Sequence, residues 1–409
     1  MTCIVNDERV LQNMSSGNSL WKKEHLTKLC ITRITLSEEQ LKKLKILGNT
    51  SSDLLEIEFN ACRGLDGCDL SMEVFSWLHQ ISSLKVLRMI NCGLRGENLQ
   101  WLSQSPAKAN VNELIGRNSL LSGPLLTNLV ELDLSRNALG PDELNVIACI
   151  LPELTKLVSL NLGKNGLGDA GVVTLSRALS KLRSLESLHL DWCDFSDEGA
   201  SSLCTGFKTI NNMRNVYLSN NLIGDLSGKF LAPSVSVLRD LEVLDISFNR
   251  IGNLAMLELA KSLKLLKNIR ILEFAGNTIS IESFLMFIEA WEEMTELRVL
   301  NLRRCNLGNF GVELGLLSKF NWNIQLQVLN LGSNWIGDDG AFALACALPF
   351  LKHLCELDLS NNKIGANGAS SLAPAISKLD HLRVLKLDDN SIESDGVAEF
   401  IYMLANRQM

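Results

Sequence analysis

The chain has no excess of basic residues: 39 Lys and Arg face 46 Asp and Glu, a formal charge of −7 at pH 7 over 409 residues. A nucleic-acid or anionic-membrane partner calls for a basic face, so no nucleic-acid partner is expected. No run of about 18 consecutive apolar residues occurs, so no membrane insertion is expected. The opening MTCIVNDERV lacks the basic segment and apolar stretch of a secretory leader, and secretion is not expected either. The eleven cysteines are odd in number and scattered, without the dense paired spacing of a small secreted disulfide scaffold. They read as reduced thiols in a cytoplasmic protein. A GxxxxGK[ST] phosphate loop is missing as well.

What the chain does have is a repeat. Leu354 to Ile364, LCELDLSNNKI, carries leucine at positions one, four and six, asparagine at nine and isoleucine at eleven. The same template fits at Leu26, Leu54, Leu84, Leu129, Leu157, Leu185, Met213, Leu241, Ile269, Leu297, Leu326 and Leu382, so thirteen copies are visible. From Leu129 onward the step is 28 residues, except 29 between Leu297 and Leu326. Self-similarity at this period with this motif marks a leucine-rich repeat solenoid. A repeat array needs no single globular core, because each unit packs on its neighbours. One elongated repeat domain over 26–409 is therefore expected, after an N-terminal flank at 1–25 without template. The step from Leu84 to Leu129 is 45 residues. It leaves an irregular insertion near 103–128, in which Val111 and Leu114 either open a degenerate fourteenth unit or loop out.

Each unit contains two periods. Apolar side chains at positions four and six, such as Leu160 and Leu162, share one face of a short strand. Gly171, Leu175, Leu179 and Leu182 then form a helical stripe, as do Gly368, Leu372, Ile376 and Leu379. The small first residue of each stripe suits close approach of the helix to the strand layer. Asp169, Asp197, Asp338 and Asp395 lie at the helix starts, where they would complement the helix dipole. Helices are wider than the spacing between strands, so the expected fold is an α/β horseshoe with a parallel inner sheet and outer helices.

Position nine faces inward where the chain leaves the strand, and an amide side chain there can donate to and accept from backbone groups that no sheet ladder reaches. Asn137, Asn165, Asn221, Asn249, Asn277, Asn334, Asn362 and Asn390 fill it, and Cys62, Cys92, Cys193 and Cys305 replace them elsewhere. These LxxLxLxxN and LxxLxLxxC units, followed by phrases such as Ile336-Gly337-Asp338-Asp339-Gly340-Ala341, resemble the ribonuclease-inhibitor class of leucine-rich repeats over about 26–409. Within that class the chain is most similar to the C-terminal repeat region of animal NLR innate-immune receptors. The resemblance implies an intracellular, ligand-sensing or autoregulatory region. Two alternatives share the unit length, a GTPase-activating protein similar to the Ran GTPase-activating protein and an enzyme inhibitor like ribonuclease inhibitor.

Candidate chemistry is sparse. Gly163 to Gly168 is glycine-rich, but Asn165 is the ladder residue and the spacing matches neither a phosphate loop nor a dinucleotide fingerprint. His353 and His381 recur in successive units and should stack, yet two ligands make a weak metal site. His189, Tyr217 and Asp245 share row five without a serine or cysteine nucleophile. No catalytic residue, metal or cofactor is expected.

Surface remains. Positions five, seven and eight should face the concave side or its rim. Trp192 and Phe248 in row eight, Tyr217 and His189 in row five, and Trp335 after a ladder asparagine are large groups that the fold does not require. Arg303 and Arg304 lie beside them, and Asp388 and Asp389 bring the opposite charge. Aromatics and arginine are enriched at interface hot spots, and paired polarity suits recognition by complementarity. The expected function is a non-enzymatic scaffold with a protein partner on its concave face. A plainer reading is that some of these aromatics fold back over a neighbouring strand.

Overall fold

The computed structural model describes residues 2–5, 26–49, 53–65, 68–95, 99, 126–210, 212–291, 293–308 and 325–406. These form two compact units, 1–195 with 205–212 and 196–204 with 213–409.

In the first unit, β1 (Thr2–Val5), β2 (Lys28–Thr32), β3 (Glu56–Asn60), β4 (Val86–Ile90), β5 (Glu131–Asp133), β6 (Ser159–Asn161) and β7 (Ser187–His189) pair in parallel and in chain order. In the second, β8 (Asn215–Tyr217), β9 (Val243–Asp245), β10 (Ile271–Glu273), β11 (Val299–Asn301), β12 (Val328–Asn330), β13 (Glu356–Asp358) and β14 (Val384–Lys386) do the same. Each unit is an α/β leucine-rich repeat solenoid, with a helix returning from most strands to the next. Part of the stretch read as a flank contributes a strand, since Thr2–Val5 pairs with Lys28–Ile31. Val86–Arg88 pairs directly with Glu131–Asp133, so the insertion places no strand between them. Most of the insertion, with Val111 and Leu114, lies outside the described residues.

The strands stay in register because position four is aliphatic in β2 to β14 and buried in all of these but the last. Leu272 pairs with Leu300, and Leu300 with Leu329. Leu160, Leu188 and Leu300 are fully buried, as are Leu175 and Leu372 on the helices that cover them. Truncating one such leucine to alanine costs about 2–5 kcal/mol. The helix stripe of Gly168–Leu179 buries Gly171, Leu175 and Leu179, the residues of its 3.6-residue period. The glycine that opens each stripe accommodates mainly the neighbouring helix and the helix's own turn rather than the strand layer. A Cβ on Gly368 would lie 3.0 Å from Ala341 Cβ and 2.9 Å from Ile364 Cγ2.

Two sets of side chains stitch repeat to repeat. Asn334 is fully buried. Its Nδ2 donates to the carbonyls of Leu302 (2.7 Å) and Leu331 (3.0 Å), and its Oδ1 accepts from the N–H of Cys305 at 2.9 Å. Asn362 repeats the pattern one unit on, with Nδ2 donating to Leu331 and Leu359 and Oδ1 accepting from Asn334 and Ile336. In the first unit Asn137 donates to Met89 and accepts from Cys92. Where cysteine replaces asparagine, the thiol donates to the carbonyl of the preceding unit: Cys62 to Ile31, Cys92 to Phe59, Cys193 to Leu162 and Cys305 to Phe274.

The second set is acidic and acts on the next repeat. Asp338 begins its own helix, yet its Oδ1 accepts the N–H groups of Gly365 (2.7 Å) and Gly368 (3.0 Å), at the start of the following helix. Asp197 does the same for Gly224 and Ser227, and Asp225 for Ala255. These carboxylates therefore satisfy orphan helix donors of the repeat after their own, a role beyond the dipole complement expected from sequence. The Asp395 side chain lies outside the described residues.

Candidate protein-binding site

Past position seven the chain turns, and position eight takes a left-handed backbone in repeat after repeat. Its N–H donates to the position-seven carbonyl of the next repeat, as Arg304 does to Gly332 (3.0 Å), Ser333 to Ser360 (2.8 Å) and Asn361 to Asp388 (2.8 Å). Positive φ follows at Arg136, Lys164, Trp192 (56°), Asn220, Phe248 (51°), Arg304 (55°), Ser333, Asn361 and Asp389, and at Gly276. Glycine, asparagine and aspartate suit this geometry, whereas a bulky side chain there is an outlier costing roughly 1–2 kcal/mol.

Trp192 and His189 belong to the first unit. Trp192 is 53% exposed despite its strained backbone. His189 is half-buried on β7, with Nε2 3.1 Å from Ser187 Oγ, and burial pulls its pKa down.

Tyr217, Phe248, Arg303, Arg304 and Trp335 belong to the second unit. Tyr217 on β8 has its phenol pKa raised by burial and by Asp245. In the same row two repeats on, on β10, burial raises the carboxyl of Glu273, against a hydrogen bond with Asn301 and with Asp245 adding to the rise. Phe248 folds over the next repeat: a Cβ on Gly276 would lie 2.5 Å from its ring, so that glycine makes room for the phenyl group. The covering role weighed for these aromatics thus applies to Phe248, which nevertheless leaves 42% of itself exposed. Arg303 is turned inward. It passes over Gly332 to Asp358, with Nη1 3.5 Å from Oδ2, and donates to Ser360 Oγ at 3.3 Å.

Arg304 and Trp335 come together. With Asn306, Ser333, Asn361, Asn362 and Lys363 they line an open cleft of about 350 Å³. Lys363 Nζ lies 4.6 Å from the centre of the Trp335 ring, a cation–π contact that fixes the indole. Trp335 occupies position ten with φ of 63° and is 59% exposed. Sequence reading missed Lys363 and Asn306, because row ten was not read across units; Lys363 follows Trp335 by one repeat in that row.

The remaining candidates supply no chemistry. The rings of His353 and His381 stack with centroids 6.2 Å apart and planes 8° from parallel. Among the described residues no group of three or more His, Cys, Asp or Glu could hold a metal ion. Burial pushes the Cys193 and Cys305 thiols up to about 12, unfavourable for nucleophiles. The neighbouring Cys62 and Cys92 thiols influence each other, which lowers Cys62 and raises Cys92.

Comparison with known proteins fits this architecture. A family model described as Leucine Rich repeat matches residues 126–142, 153–176, 181–204, 237–260, 323–345 and 350–373. Among solved structures, an internalin of Listeria monocytogenes is similar with a TM-score of 0.58 at 21% identity, covering 96% of this chain and 90% of its own. A leucine-rich repeat protein of Leptospira interrogans is similar at 0.51 and 18% identity, covering 99% and 98%. No curated protein matches the chain. The chain thus carries leucine-rich repeats, which indicate a protein–protein interaction scaffold, and shares its fold with these structures. Among the described residues no helix is long and apolar enough to cross a membrane.

Proposed function

We propose that the chain is a non-enzymatic, cytoplasmic scaffold of the ribonuclease-inhibitor class that binds a protein partner through the open face of its sheet and the adjoining turns. Its role is ligand sensing or autoregulation of the NLR type, carried by a repeat domain over 26–409 whose sheet is extended by the Thr2–Val5 strand of the 1–25 flank. The observation that carries the binding reading is the strained, exposed tryptophan. Trp192 and Trp335 hold left-handed backbones that favour small residues and still expose 53% and 59% of their surface. Backbone strain without a packing return marks a functional constraint, and exposed tryptophan is the strongest hot-spot former. The LxxLxLxxN units and the Ile336-Gly337-Asp338-Asp339-Gly340 phrase support the NLR part.

The test is W192S/W335S in the full chain. Proximity labelling in cells should lose its main protein partner while circular dichroism and the urea midpoint hold. Retained labelling with intact fold would overturn the site. Acceleration of GTP hydrolysis when the purified chain is added to a panel of small GTPases would overturn the non-enzymatic assignment. An upstream phosphate-loop ATPase in the full-length transcript is the expected finding for an NLR.

A further inference from the structure

We infer that the cleft between Arg304 and Lys363 binds the carboxylate of an acidic peptide segment, seating an Asp or Glu side chain with an adjoining apolar residue against Trp335. The inference rests on the scaffold reading and names the chemistry of what that scaffold takes.

Charge supplies the first half. Among the described residues, Arg303 is spent on Asp358 and Lys386 on Glu356, whereas Arg304 and Lys363 make no ion pair. Two cations without an ion pair therefore flank one cleft, with the side-chain amides of Asn306 and Asn361 as further donors. Ser333 lines the same cleft as a further polar residue.

Size and backbone select the anion. A cleft of about 350 Å³ holds one or two side chains. Phosphate sites usually recruit backbone N–H groups at a nest or a helix start. Here four surrounding N–H groups are committed to neighbouring repeats: Arg304 to Gly332, Ser333 to Ser360, Asn361 to Asp388 and Lys363 to Ile336. Side-chain donors therefore predominate, and the guanidinium fork matches a planar carboxylate. Trp335, held by Lys363 and largely exposed, leaves indole surface for the apolar neighbour.

An array of random heptapeptides probed with the full chain should enrich Asp or Glu next to an apolar residue. The best peptide should bind R304A/K363A about tenfold more weakly, because each exposed ion pair contributes up to a few-fold. R304E/K363E should switch enrichment to basic peptides. Circular dichroism and the urea midpoint of both variants should match the parent. Stronger binding of the phosphoserine version of the best peptide, or of vesicles containing phosphatidylserine, would overturn the carboxylate assignment. Acidic peptides that bind R304A/K363A unchanged, or no acidic enrichment while the chain still labels its cellular partner, would overturn the cleft and leave the scaffold standing. Loss of both peptide and partner binding in the parent would sink the scaffold reading itself.

Discussion

Positions eight and nine are neighbours in the same turn and obey opposite rules. Position nine points inward: Asn137, Asn165, Asn334 and Asn362 are buried, and each bonds groups in an adjacent repeat. Position eight, one residue earlier, holds a left-handed backbone with its side chain outward, and accepts Arg, Lys, Trp, Phe, Ser, Asn, Asp and Gly alike. The fold dictates the residue at nine and only the backbone at eight. Variation at eight therefore reports on what the surface does, and variation at nine on how well the stack holds.

The largest effect that would sharpen this contrast is at nine. Asn334→Ala should lower stability by about 3 kcal/mol, since it strands the Cys305 N–H and the Leu302 and Leu331 carbonyls in the interior. An unchanged urea midpoint would remove the amide from the account of stability. Next comes Gly276→Ala, at position eight, where the added methyl meets both a φ of +71° and the Phe248 ring. A loss of about 2 kcal/mol is expected. Adding Phe248→Ser should recover part of it, and a strictly additive double-mutant cycle would show that the ring and the glycine are not coupled.

Cysteine at nine offers a smaller effect. Cys305→Ala should cost about 1 kcal/mol, because a thiol supplies one weak donor where asparagine bonds in both directions. Its pH dependence has a definite sign. The folded-state pKa of Cys193 and Cys305, about 12, lies above the ordinary thiol value of 9.0. The unfolded chain therefore ionises first as pH rises. Their stabilising contribution is complete below pH 9 and is lost between 9 and 12. Urea midpoints should fall across that window in the parent and fall less in Cys305→Ala; parallel curves would contradict the buried neutral thiol. The smallest effect is a gain: Trp192→Asn should raise stability by up to about 1 kcal/mol by relieving the left-handed strain. A loss of similar size would mean that the indole packs for stability.

The strands, helices and ladder were legible in the sequence because a 28-residue period repeats a 2-residue and a 3.6-residue pattern in fixed phase. Other features were not, for identifiable reasons. Thr2–Val5 joins the sheet although no asparagine or isoleucine follows at the template positions, so its repeat had no signature to match. The left-handed turn at eight is hidden because Trp192, Phe248 and Arg304 carry none of the usual glycine or asparagine marks. Asp338 was read against its own helix, and nothing in its local sequence says that its carboxylate turns to Gly365. The candidate site was legible in part. The sequence places Arg304 beside the band that holds Trp335, but the cleft they form with Lys363 depends on repeat-to-repeat stacking that a single unit does not encode.

The two stitching systems run in opposite directions along the chain. Asn334 completes the backbone of the repeat before it, through Cys305, whereas Asp338, four residues later, completes the helix start of the repeat after it. A repeat cut away on the C-terminal side takes an amide from its predecessor, and one cut away on the N-terminal side takes a cap from its successor. Both exposed ends are damaged, but differently: a frayed strand exit at one, an uncapped helix at the other. Unravelling from the two ends should proceed by different first steps, helix loss from the front and turn opening from the back, so hydrogen exchange at a truncated terminus would reveal which neighbour had been removed.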